Sequence, residues 1–204
     1  MSDKRSELNL HVAKSLIQFI VVLFFGALVA DFYKRVERQR TENDRLAHFR
    51  EDIRKRLGEA YQQAKKCRSK IRASGITTQH CDSMAAMEQL GIDAYRCQCE
   101  LLNEVQLDLE KLWHEVDCFR CAFTHDKDIV NRIKIMSGFI RKVVDEYEAN
   151  WCNLSSVCKE ERTIPKLKML AHLVGKSTEG WFREKFCDRY SEAIDFIRRD
   201  ELRP

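Results

Sequence analysis

Two prolines and seven glycines in 204 residues leave few points at which a helix must break. No stretch of useful length alternates apolar and polar residues, so strands are not expected. Internal repeats and low-complexity segments are also missing, which excludes solenoid and compositionally disordered classes. There is no glycine-rich phosphate loop, no His-Glu-x-x-His helix and no nucleophile elbow, so the familiar P-loop, zinc-peptidase and α/β-hydrolase chemistries have no foothold. Neither sign of charge dominates: 36 Lys and Arg stand against 32 Asp and Glu. A net charge of +4 does not demand a nucleic-acid partner, though it suits an anionic lipid surface.

What the chain does have is one long apolar run, Ser15 to Tyr33, with only Gln18 and Asp31 strongly polar inside it. Nineteen residues at helical rise span roughly 28 Å, close to the hydrocarbon thickness of a bilayer. The run is therefore expected to be a single transmembrane helix preceded by a polar tail, residues 1–14. A removed signal peptide would have a shorter apolar core and a clearer cleavage site than Ala27-Leu28-Val29-Ala30, and a basic helix follows here without a linker. Gly26, Ala27 and Ala30 form a small-residue face on which two such helices can approach closely, and Gln18 can hydrogen-bond across an oligomer. Asp31 is expected to pair at the interface with Lys34 or Arg35. Lys4, Arg5 and Lys14 precede the run, whereas Lys34, Arg35, Arg38, Arg40 and Arg45 follow it, which places the C-terminal side in the cytoplasm. The nine cysteines then read as reduced thiols.

Beyond the run, residues 34–72 read as a basic juxtamembrane stalk leading into a first amphipathic helix. Thr41 and Asp44 either cap a restarted helix or lie within a continuous one. The stripe Leu46, Phe49, Ile53, Leu57, Tyr61, Ala64, Cys67, Ile71 recurs every three to four residues, opposite Arg50, Arg54, Arg56 and other charges. Residues 73–204 read as a cytoplasmic α-helical bundle. A loop and short helix span Thr77–Gly91. A long helix runs from Asp93 to about Phe123, and another from Thr124 to about Ala149. A polar connection follows, then a helix opened by Pro165 and stopped by Gly175. Ser177–Arg203 forms the last helix, with Trp181, Phe182, Phe186, Tyr190, Ile194 and Ile197 inward. The fold class is all-α: one N-terminal membrane helix and a bundle of about five helices.

The densest chemical cluster is Cys118-Phe119-Arg120-Cys121-Ala122-Phe123-Thr124-His125. On a continuous helix, Cys118, Cys121 and His125 share a face and could begin a zinc site, with Cys97, Cys99, Cys152 or Cys158 as a fourth ligand. The spacing matches no common zinc module, so no metal or other cofactor is expected and the cysteines are read as core residues. His114 beside Trp113 reads as a partly buried bundle histidine, and Glu104, Asp108, Glu110 and Glu115 as a solvated charged face.

Arg120 and His125 stand with four residues between them. This spacing resembles the Arg-x4-6-His motif of the HEPN nucleases. The resemblance implies an all-α bundle in which the Arg and His of two protomers meet and cleave RNA without a metal. Arg120 would stabilise phosphate charge and His125 would transfer a proton. Cys121 stands where that family often carries a polar residue.

The leading expectation is a non-enzymatic one: a membrane-anchored helical protein that works by self-association in the bilayer or by binding a cytoplasmic protein partner. By architectural analogy it would be a bacterial inner-membrane effector that disrupts membranes in antiviral defence. The alternatives are a membrane-tethered ribonuclease using Arg120 and His125, for which nucleic acid would be a partner, and a membrane scaffold or signalling adaptor.

Overall fold

In a computed structural model of the chain, apolar residues spaced three and four apart close into α-helices, five of them among the described residues, where no strand occurs. The structure describes residues 3–74, 92–155, 167–175 and 181–201, with side chains from 23–74, 95–149, 167–175 and 181–201. Helix α1 spans Asp3–Ala73, α2 Ile92–Cys118, α3 Asp126–Ser155, α4 Lys168–Val174 and α5 Asp188–Glu201. A 3₁₀ turn, Arg120–Ala122, follows α2, and a π turn, Arg183–Cys187, leads into α5. The predicted loop and short helix at 77–91 and the Pro165 helix start lie outside the described residues. The chain divides into two units, Met1–Ala47 and His48–Pro204.

In the first unit the backbone is helical from Asp3, so the expected polar tail is part of α1. Nor does α1 restart at Thr41. The Thr41 hydroxyl donates to the Glu37 carbonyl four residues back at 2.9 Å, inside an unbroken helix. Asp31 pairs with Arg35 at 2.9 Å, as the sequence suggests. Among the described residues no helix is long and apolar enough to cross a membrane. The side chains of Ser15–Val22, the first part of the predicted span, lie outside that description.

In the second unit the stripe of α1 is buried over most of its length: Ile53, Leu57, Ala64 and Ile71 are fully covered and Cys67 nearly so, whereas Phe49 and Tyr61 are half-buried. Helices α2 and α3 pair extensively. They are antiparallel, since Tyr95 at the start of α2 meets Tyr147 late in α3 edge to face at 5.3 Å. On α3, Ile129, Ile133, Met136, Ile140, Val143, Val144 and Tyr147 recur at three- and four-residue steps and are all buried. The helix also runs on through Ser155, where a polar connection is predicted to begin at Asn150. From the last helix Phe182, Phe186, Ile194 and Ile197 enter the core, but Trp181 is 41% exposed and stacks on His172 at 4.5 Å. Tyr190 stacks on Tyr61 at 3.9 Å and nearly parallel.

Helix α4 is only seven residues long, too short to persist on its own propensity. Other helices supply both of its caps. Glu146 of α3 accepts from the Met169 and Leu170 amides, each at 2.9 Å. At the other end the Arg68 guanidinium of α1 donates to the carbonyls of Leu173, at 2.7 Å, and Gly175. The carboxylate thus sits at the positive end of the helix dipole and the guanidinium at the negative end. Gly175 ends α4 where the sequence predicts, yet its φ of −49° is an ordinary one. Arg68 satisfies the helix end that a left-handed glycine would otherwise satisfy.

Two charge-assisted hydrogen bonds make Arg68 costly to remove. Arg68→Ala is expected to lower the unfolding free energy by about 2–3 kcal/mol, with Arg68→Lys recovering only part. Urea denaturation at neutral pH measures both, and an unchanged midpoint in Arg68→Ala would show that these caps do not contribute.

Candidate functional site

The cluster that carries most of the candidate chemistry lies on the connection between α2 and α3. Its conformation differs from the expected continuous helix. Helix α2 stops at Cys118, the Phe119 amide still donates to the Glu115 carbonyl, and the 3₁₀ turn closes with Ala122 and Phe123 amides bonded to Phe119 and Arg120 carbonyls. Phe123 is extended and buried, and α3 begins at Asp126. This break removes the face on which Cys118, Cys121 and His125 were expected to converge. Both cysteines are exposed, which also overturns their reading as core residues. No group of three metal-ligating side chains occurs among the described residues. Of the proposed fourth ligands, Cys97 is exposed and Cys99 buried, whereas Cys152 and Cys158 lie outside the described side chains.

Arg50 of α1 fastens the connection. Its Nε donates to the Ala122 carbonyl and its Nη1 to the Asp200 carbonyl of α5 at 3.1 Å. Six residues along α1, Arg56 makes a two-pronged pair with Glu115, at 2.6 and 2.9 Å. The carboxylate holds the guanidinium firmly charged. Charges predicted to form outward faces of α1 and α2 are therefore drawn into joining the two helices.

Arg120 is 61% exposed, with its Nη2 at 2.8 Å from Asp117 Oδ1 and its Nε at 4.0 Å from Asp126. His125 is turned inward. Its Nδ1 is buried and lies 3.6 Å from Oδ1 of Asp200, a carboxylate with no exposed surface. Neither atom has a hydrogen-bond partner, while the other carboxylate oxygen of Asp200 accepts from the Thr124 amide at 3.0 Å. Phe196 covers the imidazole at 5.1 Å between ring centres. The side chain is 29% exposed although Nδ1 is buried, so other atoms carry its accessible surface. Asp200 is the functional-looking residue that the sequence reading missed. Nothing within 75 positions of His125 in the chain signals it, and only α5 packing brings it there.

The other histidine and tryptophan candidates separate similarly. His114 is exposed rather than partly buried and stacks on Trp113 at 3.5 Å, with the Lys134 ammonium 4.1 Å from the Trp113 ring centre. In the first unit Gly26, Ala27 and Ala30 are all exposed, and open space surrounds the position of a Cβ on Gly26.

Among the thiols, burial pushes Cys67 and Cys187 up from the ordinary cysteine range and Cys99 up to about 12. Burial likewise raises Tyr61 and Tyr147 to about 12, from an ordinary value of 10.0. These are inert, protonated groups at neutral pH. Raised folded-state values mean that the unfolded chain loses these protons first. Their contribution is complete below about pH 9 and is lost progressively toward pH 12. The urea midpoint is expected to fall steeply across that window, and Cys99→Ala, though less stable at neutral pH, should show a shallower fall. A slope identical to wild type would remove Cys99 from the account.

Comparison with protein-family models, with curated proteins and with solved structures returns no match for this chain.

Proposed function

We propose that the chain is a membrane-anchored helical protein that acts by self-association or partner binding at the bilayer. One observation carries the reading. From Leu23 to Val36 a single helix leaves eight large apolar side chains, Leu23, Phe24, Phe25, Leu28, Val29, Phe32, Tyr33 and Val36, between 46% and 69% exposed. At helical spacing seven of the eight cover one half of the circumference, Leu23 lies on the other half with the small residues Gly26, Ala27 and Ala30, and the sequence before them, Ser15–Val22, continues the apolar run with Gln18 as its one strongly polar residue. Apolar surface of that extent calls for lipid or a partner helix. The basic residues from Lys34 to Arg45 then meet anionic headgroups, and the asymmetry of Lys and Arg assigns the C-terminal unit to the cytoplasm. The exposed Gly26 and Ala30 are available for close helix approach. A bacterial inner-membrane effector whose assembled anchors disrupt the bilayer in antiviral defence is the most specific version.

The full-length protein is expected to resist carbonate extraction from membranes. The double variant Phe24→Arg, Leu28→Arg opposes insertion by about 5–7 kcal/mol and should become soluble or degraded. Gly26→Leu should remain membrane-bound but lose the oligomer seen by light scattering in detergent. A wild-type protein released by carbonate would refute the anchor, and an undiminished oligomer in Gly26→Leu would refute assembly through this face.

A second reading, a membrane-tethered ribonuclease, is favoured by the contact of His125 with the buried Asp200 carboxylate. Arg120 lies on the same connection, where it would stabilise phosphate charge while His125 transfers a proton. His125→Ala should then reduce cleavage of labelled RNA at least about 100-fold with little change in the thermal midpoint. If the wild-type protein leaves RNA intact, this reading fails.

A further inference from the structure

We infer that Asp200 is the positioning residue for His125: it holds the proton on Nδ1 and leaves Nε2 as the outward-facing proton acceptor. Two buried polar atoms, His125 Nδ1 and Asp200 Oδ1, face each other at 3.6 Å, and neither has another partner. Buried polar atoms without partners are costly, and a proton on Nδ1 directed at the carboxylate satisfies both with a shift of a few tenths of an ångström. Such contacts are commonly long in a free site and tighten when a ligand binds.

The surroundings support one tautomer over the other. The Thr124 amide engages the second carboxylate oxygen, which fixes the rotation of the carboxyl group and directs Oδ1 at the ring. Arg50 grips the Asp200 and Ala122 carbonyls, tying the end of α5 to the connection that carries His125. Phe196 lies tilted against the imidazole, 34° from parallel, and limits its rotation, and the guanidiniums of Arg132 and Arg199 lie over the Phe196 ring at 5.5 and 5.7 Å. Asp126, only 17% exposed, and Asp117 are further carboxylates close to this connection, and both are oriented toward Arg120, at 4.0 and 2.8 Å. A carboxylate behind the buried nitrogen is the arrangement that sets the opposite nitrogen to take a proton. The substrate class, an RNA phosphodiester, rests on the ribonuclease reading; the tautomer does not.

The test uses the full-length protein in detergent, labelled with ¹⁵N in its six histidines. Long-range ¹H–¹⁵N correlation is recorded near pH 8, about 1.5 units above the ordinary imidazole value, and His125 is identified by the signals missing from His125→Gln. The expected result is a protonated Nδ1 and an unprotonated Nε2. Asp200→Asn keeps a carbonyl for the Thr124 amide and turns an NH₂ toward Nδ1, so His125 should invert to the Nε2–H form. Its RNA cleavage should then fall about 100-fold in kcat with KM unchanged. A wild-type His125 already protonated on Nε2, or the same tautomer in both proteins, overturns the inference. The wild-type spectrum decides even if Asp200→Asn fails to fold. An Nδ1–H tautomer in a protein that cleaves no RNA upholds the role of Asp200 and removes the ribonuclease reading instead.

Discussion

Helix ends that no local residue can cap are the constraint around which the C-terminal unit is built. Each end carries backbone groups without intrahelical partners, and burying them bare is costly. Here charged side chains from distant helices reach them: Glu146 at the start of α4, Arg68 at its end, and Arg50 at both the 3₁₀ turn and the end of α5. These contacts are long in sequence and short in space. They convert a pile of amphipathic helices, which could slide along one another, into one register. Hydrophobic burial supplies the larger free energy, but it is non-directional and would tolerate several alignments.

The two units face the problem of apolar surface differently. Among the described residues of His48–Pro204 the large apolar side chains are mostly covered, with Leu107, Phe119 and Trp181 exposed. From Leu23 to Val36 in α1 the large apolar residues are exposed throughout. A helix with no polar side has no inward face to bury against a soluble core. The contrast in side-chain chemistry along one unbroken helix is what the membrane proposal explains.

The all-α class, the two long central helices and the stripe of α1 were legible in the sequence because a 3.6-residue period survives any amount of tertiary detail. In α1, Ile53, Leu57, Ala64 and Ile71 carry that period into the core. Less legible were the roles of the polar face. Periodicity puts Arg50, Arg56 and Arg68 outside the stripe, and no local pattern says that their long side chains will return to cap another helix. The break at Cys118 was hidden for a related reason. No glycine or proline marks it, and the turn exists because Phe123 must enter the core while Arg50 holds the Ala122 carbonyl. With the helix interrupted, the apparent one-face alignment of Cys118, Cys121 and His125 dissolved, and the partner of His125 came from the far end of the chain.

The π turn at Arg183–Cys187 has a consequence for how the last segment can vary. A wide turn accommodates one residue more than a regular helix would, and the helix beyond it keeps its facing. Phe182 and Phe186, and beyond the turn Ile194, Ile197 and Asp200, are all buried. Loss of one residue there would restore a regular helix and leave Asp188–Glu201 facing much as it does, with Asp200 still at the Thr124 amide. Arg183 and Glu184 are exposed, so their identities matter little to the core. In this segment the fold is lenient about the number of residues as well as about their identity.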